Sequence, residues 1–451
     1  MGIKNNYYFV LYSSKQYNQI MSRVTIIYPY FRTRSPNEML FPPLGAASIV
    51  SQLNIFGVES SIIDCTFMTL RQVQRVLRTY KPSIVGIYSM VTLSRNAFKI
   101  ADIVRSYLPS SMLVAGGPLP TLYPEQYASR FDAVFRGESD LSFPSFCLDV
   151  LEQKITRERL RELPLDSYEG LFIQRDGLEV DIPAAHYKEK IINSFPIPDR
   201  SNFDHLAYQN AWMKKDGSRT TSIITTLGCP YSCDFCSKPV FGNIFRRRNL
   251  DTILKEVEQI QSLGYDSLWI ADDNFTLNPN HVEGFCQRML GRGVNWSCLS
   301  RSNGITPNIV NLMKDAGCRK VYLGLETGSP DTLKLMNKQI NLEDGIQAVH
   351  LFHDAGIKVG AFFIVGYPGE TISSVEETFK LSLELPLDQI SFNVPFPLPG
   401  SKLYDRVNNI EINKDWNIEN EVSFIYNTAF NQHWLRRRIG KTMKSFADGK
   451  K

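Results

Sequence analysis

The chain has no uninterrupted apolar run approaching the ~20 residues that span a bilayer, so no membrane-crossing helix is expected. Histidine is scarce, at 6 residues, and none precedes His186. Excess charge is also missing. Lys+Arg 50 against Asp+Glu 46 leaves +4 over 451 residues, too little to argue for a nucleic-acid partner. No secretory signal is expected either, because the apolar stretch 7–12 is short and leads to no small-residue cleavage site. A cytoplasmic setting is expected, where thiols stay reduced and clustered cysteines serve metals more often than disulfides. The apolar fraction of 43 % excludes wholesale disorder, and the length predicts two or three domains.

What is present is unevenly placed. Three of the 8 cysteines, Cys229, Cys233 and Cys236, are crowded together, while Cys65, Cys147, Cys286, Cys298 and Cys318 are scattered. Residues 1–22 show no periodicity and read as an N-terminal arm. The fold is expected to begin near Met21, where Met21-Ser22-Arg23 leads into an apolar strand.

Over 23–152 short β-branched runs alternate with amphipathic stretches. Strands are predicted at 24–30, 58–64, 83–89, 112–115 and 132–136, with helices near 44–56, 70–80, 94–108, 124–130 and 141–152. That repetition predicts a doubly wound, Rossmann-like parallel sheet whose ligand edge is the carboxyl end of its strands. The residues there are 28–32, 64–66, 89–92, 116–121 and 137–142. Gly116-Gly117-Pro118 would let backbone approach a ligand, and Pro42-Pro43-Leu44-Gly45 makes a rigid helix entry. Each also reads as a plain tight turn.

Residues 153–217 read as an irregular connector, with a charged helix at 151–161 and breaks at Pro183, Pro196 and Pro198. Alternation resumes over 218–405. Strands are expected at 221–226, 267–271, 295–300, 320–325, 359–365 and 389–394, and helices at 251–263, 281–291, 307–315, 331–336, 342–355 and 373–385. Six such units predict a partial TIM-type (β/α)6 barrel, its chemistry again facing the carboxyl edge. A helical C-terminal extension over 406–451 carries Arg436, Arg437, Arg438, Lys441 and Lys444, which read as a solvated helix end.

The run Thr226-Leu227-Gly228-Cys229-Pro230-Tyr231-Ser232-Cys233-Asp234-Phe235-Cys236 directly follows a predicted strand. Three thiolates on one loop can hold three corners of an iron–sulfur cubane and leave its fourth iron open to a substrate or cofactor. Zinc is the alternative, but it normally wants a fourth Cys or His nearby, and His281 is distant in sequence.

Here the sequence resembles the radical S-adenosylmethionine (SAM) superfamily, in its CxxxCx-aromatic-C loop with Phe235 as the aromatic. The segments RRRNLDTILKEV (246–257), WIADDNFT (269–276), YLGLETGS (322–329) and FIVGYPGE (363–370) resemble its cobalamin-binding branch. So do 42–45, 116–121 and 137–142 in the N-terminal region, so the resemblance covers about 24–405.

The resemblance implies that Cys229, Cys233 and Cys236 hold a 4Fe-4S cluster, with SAM on its open iron and the backbone around Phe235 facing adenine. It places Glu326 on the SAM ribose, with a structural salt bridge as the alternative, and Ser300 and Arg301 on the methionyl carboxylate. Ser89, Gly116, Gly117, Thr121, Gly137 and Glu138 fall at the implied cobalamin site. Asp272 and Asp273 are left open, a helix cap being one reading. Gly366–Glu370 departs by one residue from the usual fifth-strand spacing. No residue is assigned a catalytic role.

Classical cobalamin domains supply a histidine, in a DxHxxG motif, as the lower axial cobalt ligand, whereas many members of the branch this chain resembles do without one. Since 24–152 contains no histidine, cobalamin is expected without histidine ligation; a vestigial domain binding no corrinoid is the alternative. The function implied is methylation of an unactivated carbon, or of phosphorus, through a 5′-deoxyadenosyl radical and methylcobalamin. Alternatives are a ring-forming or oxidative rearrangement without methyl transfer, and a corrinoid or iron–sulfur sensor without turnover. A small-molecule or peptide substrate and an electron donor such as flavodoxin or ferredoxin are the implied partners. The aromatics Trp269, Trp296, Tyr322, Phe362 and Phe363 read either as pocket lining or as core.

Overall fold

Within each strand of the first half, alternate residues are buried against opposite layers, as a sheet covered on both faces requires. The computed structural model describes residues 23–33, 38–175, 177–407, 410, 424–426 and 428–449. The expected arm over 1–22 and part of the expected extension (411–423) lie outside these residues. Among the described residues, no helix is long and apolar enough to cross a membrane.

The first sheet has seven strands in the order β2-β1-β3-β4-β5-β6-β7. Parallel pairing joins β1 (Val24–Tyr28), β2 (Ser60–Asp64), β3 (Ile84–Tyr88), β4 (Met112–Gly116) and β5 (Ala133–Phe135). Ile26 and Val114 pack beneath the helices Leu44–Ile55 and Ser142–Glu152, while Ile27, Val85 and Leu113 pack beneath Leu70–Tyr80 and Ser94–Tyr107. Strand order reverses between β1 and β3, and such a switch point opens a crevice at the carboxyl edge. This is the expected Rossmann-like layer.

One expectation changes. The stretch read as irregular carries β6 (Leu171–Arg175) and β7 (Leu178–Asp181), an antiparallel hairpin that extends this sheet beyond β5. The helix expected at 151–161 stops at Glu152, and Lys154 takes a left-handed backbone (φ +50°) before a short turn at Arg157–Glu162. The helix His205–Asp216 then leads to the second half, tied back to the first by Trp212 Nε1, which donates to Leu40 O at 2.6 Å.

The second large sheet is all parallel in the order β15-β14-β13-β12-β11-β8. Its strands are β8 (Thr220–Ile223), β11 (Ser267–Ile270), β12 (Asn295–Ser300), β13 (Cys318–Glu326), β14 (Lys358–Ile364) and β15 (Gln389–Asn393). The strand expected at 221–226 divides: after β8 comes β9 (Thr226–Leu227), which pairs antiparallel with β10 (Arg246–Arg247) across the cysteine loop. Helices such as Leu250–Ser262 and Leu342–Asp354 cover the outer face, burying Ile253, Val257, Val349 and Phe352. The edges β8 and β15 do not pair, so this is the expected open (β/α)6 barrel. The C-terminal helix Gln432–Asp448 packs Leu435 and Ile439 beside Val375 and Phe379, leaving Arg436, Arg437, Lys441 and Lys444 exposed.

Candidate active site

The cysteine loop begins with a glycine that no other residue can replace without strain. Gly228 has φ +76°, and a Cβ there would lie 2.3 Å from Ile244 O. From that turn the loop is pinned from several sides. Asp234 N donates to Met336 O, and its carboxylate accepts from Tyr367 OH at 2.6 Å and pairs with Arg406 Nη2 at 2.9 Å. Asn337 Nδ2 donates to Ser232 O, and Lys238 Nζ to Cys229 O. These bonds spend the residues between the cysteines on scaffolding and leave all three thiols free and partly exposed.

The surroundings are cationic. Arg301 Nη1 donates to Cys233 Sγ at 3.2 Å, its guanidinium 3.8 Å from the Tyr231 ring centroid, and Nη2 is held by Lys338 O. Lys338 Nζ sits 2.5 Å from Glu326 Oε1 and faces the Phe235 ring at 5.8 Å. Glu326 has φ +66°, at a register shift where β13 leaves β14. Gly324 makes room for the pair, since a Cβ there would meet Glu326 Oε1 at 2.6 Å and Lys338 Nζ at 2.8 Å. The salt bridge left open for Glu326 is therefore formed. Burial pushes the Cys236 thiol up to about 11, with Cys233 and Cys229 adding to the rise against Lys238.

Other expected residues are placed differently. Ser300 Oγ is buried on Thr276 Oγ1 (2.5 Å) and donates to Arg301 O, so its hydroxyl shapes the end of β12. Asp272 caps no helix. It accepts from Thr225 N and from the Thr225 and Thr226 hydroxyls at 2.5–2.8 Å, tying β11 to the base of the cysteine loop. Burial raises its pKa to about 6. Glu370 Oε2 accepts from Gly366 N and Tyr367 N and closes the loop after β14; burial lifts this carboxyl to about 7.

In the first half, Gly117 (φ +109°) brings backbone against Ser89 O, where a Cβ would lie at 2.6 Å. Thr121 Oγ1 donates to Gly117 O and accepts from Gly137 N, joining the two glycine segments. Ser89 Oγ is buried on Tyr127 OH. Glu138 spends its carboxylate on Arg246 Nη1 (2.5 Å), a pair buried on both sides that locks this edge to β10. Arg246, Lys338, Tyr367 and Arg406 were not singled out as site residues, and each acts through a partner over 10 positions away in sequence.

Two cavities open on these edges. A slot of about 80 Å³ at the β1/β3 switch point is lined by Ile26, Gly45, Ala46, Ile49, Gly86, Gly116 and Gly117. A chamber of about 1280 Å³ is lined by Met90–Thr92, Pro118, Leu119 and Leu122 of the first half, and by Trp269, Tyr322, Phe392 and Ser237, next to Cys236, of the second.

A parallel open barrel with a three-cysteine loop beyond its first strand, joined to a doubly wound sheet, defines a radical SAM enzyme with a second cofactor domain. The Radical SAM superfamily model matches residues 223–382, and the B12 binding domain model matches 38–146. An uncharacterized methyltransferase of Pyrococcus horikoshii is 29 % identical over 83 % of this chain and 81 % of its own length. The anaerobic magnesium-protoporphyrin IX monomethyl ester cyclase of Rubrivivax gelatinosus is 27 % identical over 85 % of this chain and 70 % of its own. The radical SAM methyltransferase TsrM of Kitasatospora setae, solved with cobalamin and a 4Fe-4S cluster bound, superposes with TM-score 0.72. It is 18 % identical, covers 85 % of this chain and is itself 74 % covered, and it shares the fold. The chain thus carries a radical SAM domain and a B12-binding domain, and it resembles cobalamin-dependent radical SAM methyltransferases.

The residues present fit the groups this family implies. A single zinc ion would want a fourth Cys or His donor beside the three thiols. Three thiols on one loop beside a buried guanidinium instead suit an anionic polynuclear cluster with one open corner. The slot suits a corrinoid's nucleotide tail, because Gly45, Gly86, Gly116 and Gly117 line it and nothing lies within 4 Å of a Cβ built at 45. No histidine lines either cavity.

Proposed function

We propose that this protein is a cobalamin-dependent radical SAM methyltransferase acting on an unactivated carbon, or on phosphorus, of a small-molecule or peptide substrate. One observation carries the reading: residues beside the cysteine loop and residues at the first sheet's ligand edge line the same chamber. Residues that would hold the two cofactors would then flank one substrate site.

When bound, the cofactors supply the hard chemistry, the 5′-deoxyadenosyl radical and the transferable methyl group. The chain's own residues position and shield. Cys229, Cys233 and Cys236 hold the 4Fe-4S cluster. Arg301, stacked on Tyr231, presents its charge where a methionyl carboxylate would bind. Glu326 offers a carboxylate to ribose hydroxyls, and the Phe235 backbone faces adenine. Gly116, Gly117 and the slot would seat the corrinoid without histidine ligation, with the partly exposed Tyr88 and Met90 beside them. An external electron donor, such as flavodoxin or ferredoxin, completes the set.

Ring formation without methyl transfer is the second reading, favoured by the likeness to a cyclase over 85 % of this chain. The products separate the two. Reconstituted protein given reductant, S-adenosylmethionine, cobalamin and substrate should form S-adenosylhomocysteine together with 5′-deoxyadenosine. Deoxyadenosine alone would assign it to the cyclase-like chemistry, and neither product would leave a sensor.

A further inference from the structure

The barrel wall of the chamber is unusual for a pocket that would merely exclude water. Trp269 on β11 and Tyr322 on β13 line the chamber, and Phe362 on β14 continues their row outside the lining. Trp269 meets Tyr322 edge-on at 5.3 Å, and Tyr322 stacks on Phe362 at 5.6 Å and 16°. Phe41 extends the row beyond Trp269 at 6.1 Å. The row exists because its neighbours are small: Ser297 pairs with Trp269 across the sheet, and a Cβ on Gly360 would lie 2.6 Å from the Tyr322 ring. Aromatics that only filled a core would be buried, as Phe363 is on the opposite face of β14.

At the far end of the same wall the chamber is cationic. Arg319 and Lys320 begin β13 and line it. Lys320 Nζ donates to Gln389 Oε1 at 2.6 Å, and Arg319 Nε to Asn295 Oδ1 at 2.7 Å. Among the described residues neither forms an ion pair with a carboxylate. Arg319 is exposed and Lys320 half-buried, with Lys320 Nζ 4.6 Å from the Tyr322 ring centroid, so an anionic group there would gain a counter-charge beside the aromatic row. The cations lie at the strand starts and the cysteines beyond the strand ends, so the aromatic row lies between them. Lys320 and Glu326 are six residues apart on β13, ~20 Å at ~3.3 Å per residue.

We propose that the substrate is a planar aromatic or conjugated molecule bearing an anionic substituent, its ring along Trp269 and Tyr322 and its anion on Lys320 and Arg319. This rests on the methyltransferase reading and assigns the substrate class of that chamber. Carboxylate and phosphate share the required chemistry. Rings gain from stacking and edge contacts on aromatic walls, and the terminal cations select charge and orientation.

The test is calorimetric binding to the cluster- and cobalamin-loaded protein, with S-adenosylhomocysteine present to prevent turnover. Its probes are 2-naphthylacetate, 2-naphthyl phosphate, 2-naphthylacetamide and cyclohexylacetate. The expected result is that at least one naphthyl anion binds tenfold or more tighter than both the uncharged amide and the non-planar acid. Whichever anion binds better identifies the group. Lys320→Met should abolish the preference for the anion over the amide, Lys320→Arg should keep it, and Tyr322→Leu should abolish the preference for naphthyl over cyclohexyl. Equal affinities for all four probes, or no binding by any, would overturn the proposal. Formation of S-adenosylhomocysteine and deoxyadenosine is scored separately. Both products with unselective probe binding sink the substrate class alone, whereas selective binding without either product sinks the methyltransferase reading alone.

Discussion

Arg301 Nη1 donates to Cys233 Sγ at 3.2 Å, and Lys338 O on the other side of the guanidinium keeps it there. A positive charge and an N–H donor on a cluster thiolate both favour the reduced, more negative state. Arg301→Gln should therefore lower the cluster's potential by roughly 60 mV, a tenfold change for a one-electron couple. Iron content should stay unchanged. A redox titration followed by electron paramagnetic resonance checks it, and an unmoved potential would mean the contact only packs.

Gly228 is where the cysteine loop turns off β9. Gly228→Ala would force a side chain into a left-handed backbone and 2.3 Å from Ile244 O, costing more than the ~1–3 kcal/mol of the backbone strain alone. Iron bound after anaerobic reconstitution should fall below half of wild type, while cobalamin uptake persists because the slot is remote. Equal iron in both proteins would show that the turn does not set the loop.

Gly45 lines the slot, and nothing lies within 4 Å of a Cβ built there. Gly45→Leu should fold normally, since it replaces a helical glycine with a better helix former. Its longer side chain would occupy the slot, and equilibrium dialysis with hydroxocobalamin should show at least tenfold weaker binding. Unchanged affinity would move the nucleotide tail elsewhere.

Burial, with Arg247 adding to it, depresses the pKa of His281 from 6.5 to about 4. Between those values the unfolded chain binds a proton that the folded chain refuses. Stability is therefore retained above about pH 6.5 and falls as pH drops toward 4, by roughly 3 kcal/mol. His281→Gln should flatten that slope. Urea denaturation at pH 7, 5.5 and 4.5 compares the two proteins, and parallel curves would reject this assignment.

Much of the architecture was legible in the chain. Local periodicity placed the five parallel strands of the first sheet and the six of the barrel to within a few residues, because alternation and helical spacing are local signals. The hairpin over 171–181 escaped, since two strands of 5 and 4 residues beside charged positions carry too little periodicity to stand out. Asp272 escaped as well. Its three donors lie on Thr225 and Thr226, over 40 residues upstream, and nothing near Asp272 announces them.

By itself the sequence determined the chemistry available: three cysteines spaced on one loop, paired glycines at a strand end, and no histidine below position 186. These depend on residue identity and short spacing, which the chain carries directly. Only the tertiary structure decided what Glu138, Glu326 and Trp269 do. Glu138 locks two halves through Arg246, Glu326 pairs with Lys338, and Trp269 joins an aromatic wall. Each outcome depends on which distant residue arrives beside it, and that is set by strand order and register across the sheets rather than by sequence neighbours.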